Sequence, residues 1–169
     1  MCENYFKQYG CNFLSAMPTN LYGIEDNFDL ENSHVLPALM RKFHEAKLSN
    51  AEKVEIWGSG SPMREFLIVD DLADACLFII KNLGASELYS QNISHINIGS
   101  GEEISILDLA KILKEITGFG GELVFNSDQP DGTPRKLLNN SRINQLGWTS
   151  SVTLMDGIKS TYEWFKSNF

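Results

Sequence analysis

The sequence predicts an α/β protein, on three observations. Short apolar strands alternate with amphipathic helices, several helices open on recognisable caps, and no repeat, low-complexity run or linker divides the chain. The strands are few and short. This predicts the edge of a larger parallel sheet joined to a smaller lobe of helices and strands, rather than a complete doubly wound domain. With 169 residues the chain can bury a sizeable core, as one domain or a large piece of one.

The first ten residues read as the last turns of a helix, with Tyr5, Phe6 and Tyr9 on one side and Gly10 as the stop. This helix has no visible beginning, and the expectation is that further sequence precedes it. Phe13 to Met17 read as a strand closed by Pro18, and Thr19-Asn20-Leu21-Tyr22-Gly23 follow at its C-terminal end. In open α/β sheets that is where ligands bind. A polar loop from Ile24 to Ser33 leads into a helix from about His34 to Ala46, with Val35, Leu36, Leu39, Met40 and Phe43 on the 3.6 period.

The stretch from Trp57 to Asp71 is the most informative. After the β-like run Val54–Trp57, Gly58, Gly60 and Pro62 punctuate a tight connection. Arg64 stands alone beside that turn, Phe66–Val69 read as a buried strand, and Asp70-Asp71 supply a helix cap and first-turn negative charge. The helix runs to about Leu83. Ile93–Ile98 predict another strand, ended by Gly99-Ser100-Gly101. Ser105 with Asp108, and Thr153 with Asp156, each place an acid three residues after a hydroxyl cap and open the next two long helices. Glu122–Phe125 read as a strand, Asn126–Arg135 as a Pro/Gly-rich loop, and Ser141–Gly147 as a short helix.

Composition narrows the partners. The net charge of −8 disfavours nucleic acid and anionic membranes, because the mean field repels polyanions. It leaves room for one small anion, provided that positive charge is concentrated locally; Arg41-Lys42, Arg64 and Arg135-Lys136 are the clusters that could do so. No apolar run approaches the roughly 18 residues that span a bilayer, and no secretory leader is seen. Three scattered cysteines, Cys2, Cys11 and Cys76, make neither a disulfide framework nor a zinc site. A cytoplasmic setting and no metal are expected.

Among the histidines, His44 lies inside a helix and reads as packed or exposed, and His95 reads as a structural strand residue. His34 stands at a loop-to-helix junction and is the candidate for acid–base work. Gly58-Ser59-Gly60, Gly99-Ser100-Gly101 and Gly118-Phe119-Gly120-Gly121 all fail the dinucleotide fingerprint and read as turns. Tyr162 and Lys166 have the Tyr-x-x-x-Lys spacing of short-chain dehydrogenases, but with no glycine-rich loop upstream they read as a surface amphipathic helix.

Four stretches carry a family resemblance: Met17-Pro-Thr-Asn-Leu-Tyr-Gly23, Asn32-Ser-His-Val-Leu-Pro-Ala-Leu39, Trp57-Gly-Ser-Gly-Ser-Pro-Met-Arg-Glu-Phe-Leu67 and Pro130-Asp-Gly-Thr-Pro-Arg-Lys-Leu-Leu138. Over nearly its whole length the chain resembles the C-terminal half of the GDP-L-fucose synthase family, extended short-chain dehydrogenase/reductases of Rossmann type. The resemblance implies that residues 1–169 form the substrate-binding part and that the dinucleotide-binding N-terminal half is absent. That family epimerises C3 and C5 of GDP-4-keto-6-deoxy-mannose and reduces C4 with NADPH, as a homodimer.

Carried over by position, His34 resembles the epimerisation acid, and it borders NADP together with Pro18, Thr19, Asn20 and Leu21. Lys42, Trp57, Arg64 and Asp131 match contacts to the GDP-sugar. Lys42 and Arg64 can grip its diphosphate through charge-assisted bonds of about 1.5–3 kcal/mol each. Arg64 and His34 are then expected to face one shared hollow. The reduction triad, the glycine-rich loop and the epimerising cysteine belong to the other half, so the isolated chain is expected to be inactive and NADP to be held mainly elsewhere. The alternatives are a fragment of another nucleotide-sugar epimerase or dehydratase, or a non-catalytic nucleotide-sugar-binding module.

Overall fold

A computed structural model describes residues 1–169. Its first half contains α1 (Cys2–Tyr9), β1 (Ala16–Pro18), β2 (Asn20–Tyr22), α2 (Val35–Leu48), β3 (Lys53–Trp57), β4 (Met63–Ile68) and α3 (Val69–Asn82). There follow α4 (Ala85–Ser90), β5 (Ile96–Ile98), β6 (Glu103–Ser105), α5 (Ile106–Thr117), β7 (Glu122–Asn126), β8 (Arg135–Lys136), α6 (Ser141–Gln145) and α7 (Leu154–Asn168).

One segment changes sheets. β1 runs parallel to β5, while β2, just beyond Thr19, runs parallel to β4. The Thr19 N–H still reaches the Ile98 carbonyl at 3.0 Å, so the first pairing extends to the residue at which the second begins. β4 then pairs antiparallel with β6 and parallel with β8, and β3 pairs parallel with β7 in a separate two-stranded sheet. The parallel pairs bear out the α/β class.

Side-chain alternation along β2 and β4 divides the core. Tyr22, Phe66 and Ile68 enter one cluster with α2, α5, α7 and β3. Leu67 and, part-buried, Leu21 enter a second with α3, α4, α6 and β5. The ribbon of β2 and β4 is the partition between two cores.

Local signals account for most ends. Ser105 Oγ accepts the Asp108 N–H at 3.0 Å and Thr153 Oγ1 accepts the Asp156 N–H at 3.2 Å, as their spacing predicts. Gly10 and Gly118 stop their helices at φ 69° and 70°, in the left-handed region. Asp70 and Asp71 depart from expectation. α3 begins after Ile68 without a side-chain cap, and both acids lie in its first turn. Asp71 is buried and reaches across the chain, accepting from the Ser151 N–H (3.1 Å), the Ser151 hydroxyl (2.7 Å) and the Val152 N–H (3.1 Å).

Other expectations are also corrected. The strand expected from Phe13 begins only at Ala16, because the Phe13 carbonyl accepts the Tyr89 hydroxyl at 2.7 Å instead of joining a ladder. β5 likewise starts at Ile96. His95 precedes it and is exposed, with Nδ1 2.8 Å from Ser94 Oγ. α4, β6 and β8 are additional elements, too short to carry a period of their own.

Glu65, fully buried on β4, ties distant segments together. Its carboxylate accepts from the Gly101 N–H (2.7 Å), the Leu138 N–H (3.0 Å) and Asn140 Nδ2 (3.0 Å). A side chain at Gly99 would collide with it. All three donors are neutral, so directed hydrogen bonds take the place of a counter-charge. Glu65→Gln sets an amide NH2 against these donors and is expected to cost about 2–3 kcal/mol in urea denaturation, because buried groups lose their partners. A midpoint equal to wild type would contradict this role.

Candidate functional site

The partner switch at Thr19 opens a hollow of about 540 Å3, lined by Pro18, Thr19, Asn20, Leu21, His34 and residues 135–138. Two side chains hold its floor to β4: Thr19 Oγ1 donates to the Glu65 carbonyl at 3.2 Å and Asn20 Nδ2 donates to it at 2.7 Å. His34 occupies the N-cap position of α2 in extended backbone, makes no cap bond with its side chain and is exposed. The preceding loop is shaped by Asp29, whose carboxylate accepts from the Asn32 N–H (2.8 Å) and the Glu31 N–H (2.9 Å). Those bonds hold its carboxyl below the usual range. Ser33 Oγ donates to the Asp29 carbonyl. The residues that organise this loop, Asp29 and Ser33, carried no sequence signal beyond loop polarity.

The other predicted residues lie on α2 (Lys42), β3 (Trp57), β4 (Arg64) and the β7–β8 loop (Asp131). The Lys42 ammonium lies 5.0 Å from the centre of the Trp57 ring, and that ring is exposed. His34 and Lys42, eight positions apart on α2, are separated by about 12 Å along the axis. Arg64 is the second residue of β4, within the strand rather than at the bend, and its Nη1 donates to the Met63 carbonyl at 2.8 Å. Asp131 lies over the β3–β4 turn, where its carboxylate accepts from the Ser59 N–H (2.6 Å) and Ser59 Oγ (2.8 Å).

The expected shared hollow of Arg64 and His34 is not found, because β8 lies between them. Lys136, the register partner of Arg64, lines the hollow in which His34 stands, whereas Arg64 does not. The structure therefore divides the predicted residues: His34 and the Pro18–Leu21 loop share one hollow, while outside its lining Lys42 lies over Trp57, Asp131 binds the β3–β4 turn and Arg64 stands on β4.

The cations of this region differ in their partners. Arg135 forms a two-pronged pair with Glu103 at 2.7 and 2.9 Å, which raises the pKa of its guanidinium. Lys42, Arg64 and Lys136 have no carboxylate partner. Arg64 and Lys136, side by side on paired strands, are two unneutralised cations that can hold a small polyanion in a protein of net charge −8. The basic pair 135–136 was legible in sequence; that one member is consumed by Glu103 and the other faces the hollow was not.

The Tyr-x-x-x-Lys spacing is resolved differently from expectation. Tyr162 is core rather than surface: it is 3% exposed, and its hydroxyl lies 3.0 Å from His44 Nδ1. Burial raises the pKa of that hydroxyl, and Lys166 pairs with Glu163. Tyr162 therefore has no route to a substrate.

Known proteins resemble the chain over nearly its whole length. A model of the NAD dependent epimerase/dehydratase family matches residues 1–99. GDP-L-fucose synthase 1 of Arabidopsis thaliana is 54% identical over 167 residues, covering 99% of this chain and 50% of the relative. GDP-L-fucose synthase of Escherichia coli K12 is 49% identical over 172 residues, covering 99% of this chain and 53% of the relative. Among solved structures, the GDP-6-OMe-4-keto-L-xylo-heptose reductase of C. jejuni superposes with TM-score 0.93 at 42% identity, covering 100% of this chain and 58% of that one. The chain thus spans about half the length of the curated relatives it matches.

His44 generates a pH prediction. Burial, reinforced by the nearby Lys47 ammonium, lowers its pKa, so the folded state holds the imidazole neutral and the unfolded chain binds the proton more readily. Its contribution to stability is present above about pH 6.5 and is lost as pH falls through the lower folded value. Urea midpoints between pH 5 and 8 should therefore fall less steeply toward acid for His44→Gln than for wild type; parallel curves would contradict the assignment.

Proposed function

The chain belongs to the NAD dependent epimerase/dehydratase family, and from that premise we propose that it is the nucleotide-sugar-binding, C-terminal half of an NADPH-dependent GDP-L-fucose synthase. The observation that carries the reading is the hollow that holds His34 and the unpaired Lys136, with Arg64, also unpaired, as the register partner of Lys136 on β4. Relatives named for GDP-L-fucose synthesis support the choice of nucleotide. Failure of every glycine-rich stretch to match the dinucleotide fingerprint supports the choice of half.

In this reading Lys42 and Arg64 clasp the diphosphate, Trp57 walls the nucleoside, and Asp131 accepts a hydrogen bond from a neutral part of the ligand. The hexose then lies toward His34. The 4-keto group acidifies the protons on C3 and C5, so a base on one face removes a proton and the His34 imidazolium delivers one to the other face, inverting the centre. The base comes from outside this chain. A solved relative from Naegleria fowleri, a GDP-L-fucose synthetase, is bound to NADP. The hollow bordered by Pro18, Thr19, Asn20, Leu21 and His34 has the size of a small-molecule site and suits the nicotinamide end of such a cofactor. NADPH, when bound, supplies the hydride that reduces C4. No helix is long and apolar enough to cross a membrane. The reading extends to a homodimeric, cytoplasmic whole protein whose isolated half is inactive.

Two measurements test it. Calorimetric titration of the chain should show GDP binding that weakens about 10- to 100-fold in Arg64→Ala, the loss of one charge-assisted contact. Preference for UDP or dTDP over GDP would reassign the substrate class. The corresponding full-length protein should oxidise NADPH with GDP-4-keto-6-deoxy-mannose, and no oxidation would refute the assignment.

A further inference from the structure

The β3–β4 turn and the β7–β8 loop lie side by side and are tied at both ends by main-chain bonds. The Gly58 N–H donates to the Asn126 carbonyl at 2.9 Å, and the Met63 N–H donates to the Pro134 carbonyl at 2.8 Å. Between these ties, Ser59 receives Asp131 through its N–H and its hydroxyl. The donor directions are fixed by the surroundings. Ser59 Oγ accepts the Ser61 N–H at 3.1 Å and lies 2.7 Å from Ser61 Oγ. With the Ser61 N–H and O–H both directed at Ser59 Oγ, the single Ser59 proton is left for Asp131.

Gly58 makes the approach possible. Its φ is 77°, and a Cβ there would collide with Asp131 Oδ1. The sheet does not impose this contact, since the β3–β7 register ends at Trp57 opposite Asn126. Ser59 takes one acceptor position on each Asp131 oxygen, and a carboxylate has about four. One position on each oxygen therefore remains, which is the arrangement that accepts two O–H donors from a vicinal diol. Asp131 is seated against Gly58, the residue after Trp57, which the reading above sets against the nucleoside, so the diol it meets is that of the ribose rather than of the hexose.

We infer that Ser59 is a positioning residue that seats Asp131, across Gly58, to read the ribose diol of the nucleotide. The inference rests on the nucleotide-sugar reading above and adds a basis for selecting ribonucleotides over deoxyribonucleotides.

The test is calorimetric titration of the chain with GDP and with 2′-deoxy-GDP. The unaltered chain should prefer GDP by about tenfold, the scale of one hydrogen bond to a charged acceptor. Ser59→Ala should bring the two affinities to within about twofold by weakening GDP alone, and Ser59→Thr, which keeps the hydroxyl, should restore the preference. Gly58→Ala, which pushes Asp131 from its seat, should reproduce the loss independently. A purely structural role would weaken both nucleotides equally and leave their ratio unchanged, and that result, with GDP still bound by the unaltered chain, overturns this inference alone. If the unaltered chain bound neither nucleotide, the nucleotide-sugar reading would fall and this inference with it.

Discussion

The site depends on Glu65, a carboxylate with no access to solvent and no cationic partner. Its main-chain carbonyl holds Thr19 and Asn20, where the chain changes sheets, while its side chain holds Gly101, Leu138 and Asn140. The floor of the His34 hollow and Leu138 in its lining are thereby anchored to one residue. A buried carboxylate is tolerated only when its lone pairs are filled, so the surrounding segments have little freedom to separate. Positions on both sides of the hollow are set by the same hydrogen-bond network.

From that anchor the polarity of the site follows. β4 separates two cores, which places Arg64 and Lys136 side by side at the strand end where neither cluster closes over them. Glu103, on the antiparallel neighbour β6, neutralises Arg135 and leaves Lys136 unpaired. Lys42 projects from α2 over Trp57 and likewise has no carboxylate partner, whereas Lys7, Lys111 and Lys166 pair within their own helices.

Features set by neighbours in sequence were legible beforehand. The caps at Ser105 and Thr153 and the stops at Gly10 and Gly118 depend on residues within one turn, so their spacing suffices. Features set by distant partners were not. β6 and β8 exist because β4 offers each a free edge, and Asp71 is drawn from its expected capping role by Ser151 and Val152, far along the chain. Tyr162 was misplaced on the surface because the face of α7 that turns inward is chosen by distant residues such as His44 on α2. The candidate residues were individually legible, through their motifs. Their division was not, because it comes from a two-residue strand inside a Pro/Gly-rich loop.

The central claim is that the β3–β4 turn and the β7–β8 loop close on one ligand while β8 connects them to the His34 hollow. Hydrogen–deuterium exchange of the chain with and without GDP addresses it directly. The account predicts new protection concentrated in residues 57–64 and 128–136, with the amides of α4 and α6 unchanged. Protection confined to other segments, with those two stretches exchanging as in the free protein, would contradict it.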